Sequence, residues 1–185
     1  AQLEKSLFLR HLEVMRLAFS VFLYVAATVT SLSAAQPVLN RSAELYGGWL
    51  QMYNLQFDGA HRTFGQWMQS HPEDSLGPAS DAAAYLFSEL ARLGALESEF
   101  FVDDARFANR KKLLPDAQIK SHFLQQIDRA DHLAEVALQV SGADATALFV
   151  KSLTCGLRAN YAGLIEKRNF TALLYTKAGR PFAVK

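Results

Sequence analysis

From Phe57 to Asp74 the chain reads FDGAHRTFGQWMQSHPED. Apolar or small residues return at steps of three to four, at Phe57, Ala60, Phe64 and Trp67, and the run stops at Pro72. An α-helix puts residues so spaced on one face, and proline pushes the residue before it out of helical backbone, so this helix ends near Ser70. Asp58 is the expected cap of its first turn. Upstream, Ser42 to Asn54 has the same period, with Leu45, Trp49, Met52 and Tyr53 among its apolar positions. Two short helices joined by a tight turn make an antiparallel hairpin. Beyond Pro37 no apolar–polar alternation is long enough for a strand, and the expected fold class is all-α.

With 185 residues, half of them apolar, the chain can build one domain with a core or several small repeats. Its formal charge is +1, so the basic footprint of a nucleic-acid binder is missing. Cys155 is the only cysteine. It rules out an internal disulfide and reads as a small core residue rather than a reactive thiol.

The N-terminal segment is of another kind. Met15 and Arg16 precede an uncharged apolar run from Leu17 to Ala27, followed by Thr- and Ser-rich sequence ending in Ser33-Ala34-Ala35. That order is the one a secretory signal peptide has, here Met15–Ala35, with cleavage after Ala35 and export to the periplasm or medium. Left uncleaved, Leu17–Ala35 would be a membrane anchor, although Thr28, Thr30, Ser31 and Ser33 weaken it as a span. Residues 1–14 have amphipathic spacing at Leu3, Leu7 and Leu12 and read as an upstream segment outside the mature protein.

Counted from Arg41, Gly48 stands at position 8, Phe57 at 17, Ala60 at 20, Phe64 at 24 and Pro72 at 32 of a 34-residue unit. In this the stretch resembles the tetratricopeptide repeat (TPR), whose signature concentrates at those positions. Gly48 and Ala60 are small where two helices would cross, and Phe57 and Phe64 fill the space beside. Position 27 is small in that family, but here it is Trp67. A large indole facing Ala82 or Ala83 on the next helix would conserve volume across the joint.

The pattern recurs. Pro115 to Val140 reads as one long helix in which Ala130, Ala134 and Ala137 match positions 20, 24 and 27. Trp67 to Ala82 and Ala137 to Ser152 are the same 15 residues apart. Residues 36–185 then divide into a first repeat over about 41–74, a second over about 75–144 split by about 36 extra residues, and a third, incomplete one from 145. The extra residues are expected to lengthen the helix after Pro78 as far as Phe101 and to extend the front of the next. The architecture expected is a short right-handed solenoid of stacked helical hairpins with an inserted helix pair. The longer phrases LYGGWLQMYNLQFDGAHRTF, LESEFFVDDARF and GLRANYAGLIEKRN are similar to the start of exported bacterial TPR proteins of the kind common in acidobacterial genomes. That resemblance implies a scaffold or interaction role and no catalytic residues.

Chemistry is sparsely signalled. His122 and His132 share one helix but sit about 80° apart around it and roughly 15 Å along it, so they need ligands from another helix to hold a metal with Asp128 or Asp131. Such a metal-dependent helical-bundle enzyme is the alternative reading. Glu97, Glu99, Asp103 and Asp104 gather beside Arg110, Lys111 and Lys112, a grouping that solvated charges explain. There is no HExxH, P-loop, nucleophile elbow or dinucleotide signature. No catalysis and no cofactor are therefore expected. The first helix of each TPR unit would line a concave face, here Leu45, Trp49, Met52, Tyr53, Ala83, Leu86, Phe149 and Leu153. An apolar lining of that kind suits a protein or peptide partner, with a membrane involved only through an uncleaved anchor.

Overall fold

The structure, a computed structural model, describes residues 43–96 and 114–184. The signal-like segment Met15–Ala35, residues 1–14 and the charged grouping from Glu97 to Lys112 lie outside those residues. Among the described residues there are six α-helices and no strand: α1 (Ala43–Tyr53), α2 (Phe57–Ser70), α3 (Leu76–Arg92), α4 (Ala117–Val140), α5 (Ala145–Asn160) and α6 (Asn169–Ala183). The described residues are all-α, in keeping with their periodicity.

The helix ends follow local chemistry. After α1 the amides of Leu55 and Gln56 bond back to the carbonyls of Met52 and Gln51, with Leu55 in the left-handed region at φ 60°. Glycine usually takes that place. α2 then starts at Phe57, with no side-chain cap, and Asp58 sits inside its first turn rather than ahead of it. His71, out of helical backbone before Pro72, closes α2 with its amide on the Trp67 carbonyl at 2.8 Å. The Asp74 carboxylate accepts the Leu76 amide at 2.8 Å at the head of α3, where Pro78 lies in the first turn and its missing N–H costs nothing.

The third helix is shorter than the sequence suggests. It stops at Arg92, not Phe101, because Gly94 adopts φ 66° and the Ala95 amide turns back to the Leu90 carbonyl at 2.7 Å. Asp116 and Asp144 start α4 and α5, their carboxylates accepting amides in the first turn at 2.7–3.0 Å. The N–H groups that Asp116 accepts, from Ile119 and Gln118, hold its carboxyl below the usual carboxylate range. At the end of α5 the coil widens into a π-helical turn, Tyr161–Ile165, before Lys167 at φ 56° redirects the chain into α6.

Each helix packs on the next, and α3 also touches α1 and α5. Alanine makes this possible: every residue from Gly77 to Ala84 is buried, so α3 is enclosed over two turns. A Cβ on Gly48 would fall 2.8 Å from Phe64 Cδ1 and 2.9 Å from Cζ, so α1 and α2 cross where only glycine fits. A Cβ on Gly77 would stand 2.9 Å from Trp67 Cδ1. The indole thus lies over the start of α3, in one buried cluster with Ala82, Ala83 and Ala84. It stacks on His71 at 3.6 Å and donates its N–H to Asp74 at 3.1 Å. A second cluster joins α3, α4 and α5 through Ala79, Ala130, Ala134, Ala147 and Val150.

Candidate interaction surface

The face expected to meet a partner divides in the structure. Leu45, Met52, Ala83 and Leu86 belong to the core, each at most 4 % exposed. Trp49 and Leu153 are half-buried at its edge. Tyr53 and Phe149 stand in solvent at 68 % and 51 % exposure. The cause is α3, which α1, α2, α4 and α5 all contact, so the middle of the face is closed to a partner. What stays accessible lies on α1 and α5. Trp49 bridges inside and outside: its ring meets Phe64 edge-on at 6.0 Å and Tyr53 at 6.2 Å.

Other apolar side chains are exposed that the repeat pattern did not single out. Tyr46 and Leu50 form a stripe with Tyr53 on α1, and Phe170, Leu173 and Leu174 form one on α6. Their helical spacing is plain in the sequence, but spacing alone does not tell an outward stripe from a core one.

The polar side chains inside the domain mostly satisfy one another. On α3 the buried Asp81 carboxylate meets His61 Nδ1 of α2 at 2.6 Å. One turn further, Tyr85 lies between imidazoles, 4.1 Å from His61 and 5.3 Å from His122 of α4 by ring centroids. Between α4 and α5, Asp131 accepts from Thr154 at 2.6 Å and Arg158 at 2.8 Å, with Lys151 at 3.5 Å. Arg158 also holds Asp128 at 2.7 Å. The residues considered for a metal thus have other neighbours: His122 stacks on Tyr85, His132 faces solvent, and Asp128 and Asp131 are ion-paired. Among the described residues no three His, Cys, Asp or Glu side chains form a group able to hold a metal ion.

Among the described residues Glu89 is the most deeply placed charge, at 0 % exposure. Its carboxylate accepts two bonds from Arg92, at 2.7 and 2.8 Å, and the Asp116 amide at 2.7 Å. It thereby ties the end of α3 to the start of α4. The Arg92 guanidinium is held above its usual range by that hydrogen bond. Nearby, Tyr161 opens the π-helical turn with its ring stacked on Phe123 at 4.8 Å and its buried hydroxyl without a hydrogen-bond partner. The sequence hid this cluster, since a lone glutamate in FSELARL looks like a surface residue.

Burial, then the Glu89 and Glu166 charges, push the Tyr161 phenol well above its usual range, and burial followed by Asp81 raises Tyr85. Both phenols keep their protons in the fold beyond pH 10.0, where they would ionise in the unfolded chain. The stability they contribute is complete below that pH and is lost as pH rises past it. Melting curves between pH 9 and pH 11.5 should show a steep fall, about 1.4 kcal/mol per pH unit for each fully retained proton. Tyr161→Phe should flatten that fall without lowering stability at pH 7, because it removes a buried hydroxyl that bonds to nothing. An unchanged slope would contradict the assignment.

Cys155 is half-buried, and burial and Asp131 raise its thiol above the usual range. A Cβ on Gly179 of α6 would stand 2.8 Å from the Cys155 Cβ, so this cysteine is a packing residue at the α5–α6 contact.

No helix among the described residues is long and apolar enough to cross a membrane. Scans of the chain against protein-family models, curated proteins and solved structures each find no match.

Proposed function

We propose that the domain is an exported helical scaffold of the TPR type, which binds a protein or peptide partner and carries out no catalysis of its own. The observation that carries this reading is the pair of large apolar side chains left in solvent on first helices of hairpins, Tyr53 on α1 and Phe149 on α5. Beside them Trp49 and Leu153 offer half-buried apolar ground. Exposed aromatics backed by a rigid core are what an interaction site needs, because little side-chain freedom is lost on binding. The order of helices supports hairpins stacked as a short solenoid, with repeats over about 41–74 and 75–144 and a third from 145. Its export rests on Met15–Ala35 acting as a cleaved signal. The partner is an apolar helix or extended segment, met by the flanks of the face since α3 closes its centre.

Panning the immobilised chain against a random peptide library tests the proposal. Apolar, aromatic-containing peptides should be enriched, and Tyr53→Ser together with Phe149→Ser should weaken them at least tenfold while the circular dichroism spectrum is unchanged. Peptides that bind the double variant as well as the parent chain would overturn this site.

A further inference from the structure

Helices α1 and α3 end in the same backbone motif. After α3 the Gly94 amide bonds to the Ala91 carbonyl at 2.9 Å and the Ala95 amide to the Leu90 carbonyl at 2.7 Å. After α1 the Leu55 amide bonds to Met52 at 3.0 Å and the Gln56 amide to Gln51 at 2.8 Å, so the same carbonyl positions are closed in both. The turning residue is left-handed each time, with φ 66° at Gly94 and 60° at Leu55. Glycine adopts that backbone freely, whereas any other residue brings its Cβ against the following carbonyl oxygen. A bulky residue there is an outlier.

The two caps differ in what surrounds the turn. After Gly94 the chain goes inward, where Ala95, at 3 % exposure, joins Leu90 in the core. That supplies the apolar contact which usually accompanies such a cap. At α1 the corresponding residues, Gln56 and Gln51, are both polar. Leu55 itself is 57 % exposed, so packing among the described residues recovers little of what its backbone costs. Strain left without compensation inside a fold marks positions held for contact with something else. The setting names the kind of contact: Leu45 to Phe57 carries no charged side chain, and Tyr53, two residues before Leu55, is 68 % exposed.

From these features we infer that Leu55 is a partner-contacting residue, an apolar anchor that carries the peptide site from Tyr53 around the end of α1 into the turn before α2. The inference rests on the peptide-binding reading above, and its occupant is the same apolar, aromatic-containing peptide. Binding then accounts for a leucine where stability alone favours glycine. Lys167 provides the comparison. It too is a non-glycine residue in the left-handed region, at φ 56°, but it is an exposed cation between α5 and α6 and lies outside the site.

Leu55→Gly separates stability from binding. The melting temperature of the full chain should rise by about 2–4 °C. The Kd of a fluorescein-labelled peptide enriched by panning on the parent chain should weaken at least about fivefold. Leu55→Met, which keeps apolar bulk at the same backbone, should recover most of that binding without the gain in melting temperature. Lys167→Gly should raise the melting temperature and leave the Kd where it was. A Leu55→Gly chain that melts below the parent overturns the inference whatever the peptide does, because the side chain is then needed within the fold. It is also overturned by an unchanged Kd in Leu55→Gly while Tyr53→Ser with Phe149→Ser still weakens the peptide; the site then stands without Leu55. Peptides that bind that double variant as well as the parent overturn the site and the role of Leu55 together.

Discussion

Phe64→Ala is expected to lower the unfolding free energy by about 3–5 kcal/mol. The ring is fully buried, lies edge-on to Trp49 and fills the space that Gly48 leaves where α1 crosses α2. Helix propensity would make Gly48→Ala mildly favourable, but the added methyl would collide with the Phe64 ring, and overpacking of that kind costs about 1–3 kcal/mol. The two changes should not add. With the ring gone, the methyl at position 48 has room, so the double variant should be at least about 1 kcal/mol better than the sum of the singles. Urea unfolding monitored through the two tryptophans measures all three. Additive losses would mean that Gly48 and Phe64 are not in contact.

The second large effect concerns charge. Glu89→Ala should cost about 3 kcal/mol, because it strands the Asp116 amide and unties the α3 end from the α4 start. Arg92, at 45 % side-chain exposure, can turn to water, which keeps the loss from being greater. Glu89→Gln keeps an acceptor for the amide but loses the paired bonds to the guanidinium, so its cost should be about half that of alanine. A neutral Glu89→Ala, by contrast, would show that the carboxylate does not clasp the two helices.

Much of the fold was legible because helix chemistry is local. Pro72 stopped α2, and the small–large contrast of Gly48 and Phe64 marked a crossing. The errors were equally local. The helix after Pro78 was expected to reach Phe101, yet the left-handed backbone at Gly94 ends it nine residues earlier, at Arg92. The π-helical turn at Tyr161 has no sequence signature at all. The binding face was harder to read, because whether Ala83 or Leu86 meets a partner or a neighbouring helix depends on how many helices surround α3. Periodicity gives the direction of a side chain and not what stands opposite it.

The enclosure of α3 also governs how the domain comes apart. In a stack of three hairpins the middle one leans on both of its neighbours. Here a single alanine-rich rod is shared by α1, α2, α4 and α5, so drawing any of them away uncovers the same spine. Those five helices are expected to melt as one body, while α6, held by α5 and the turn before it, is expected to fray first.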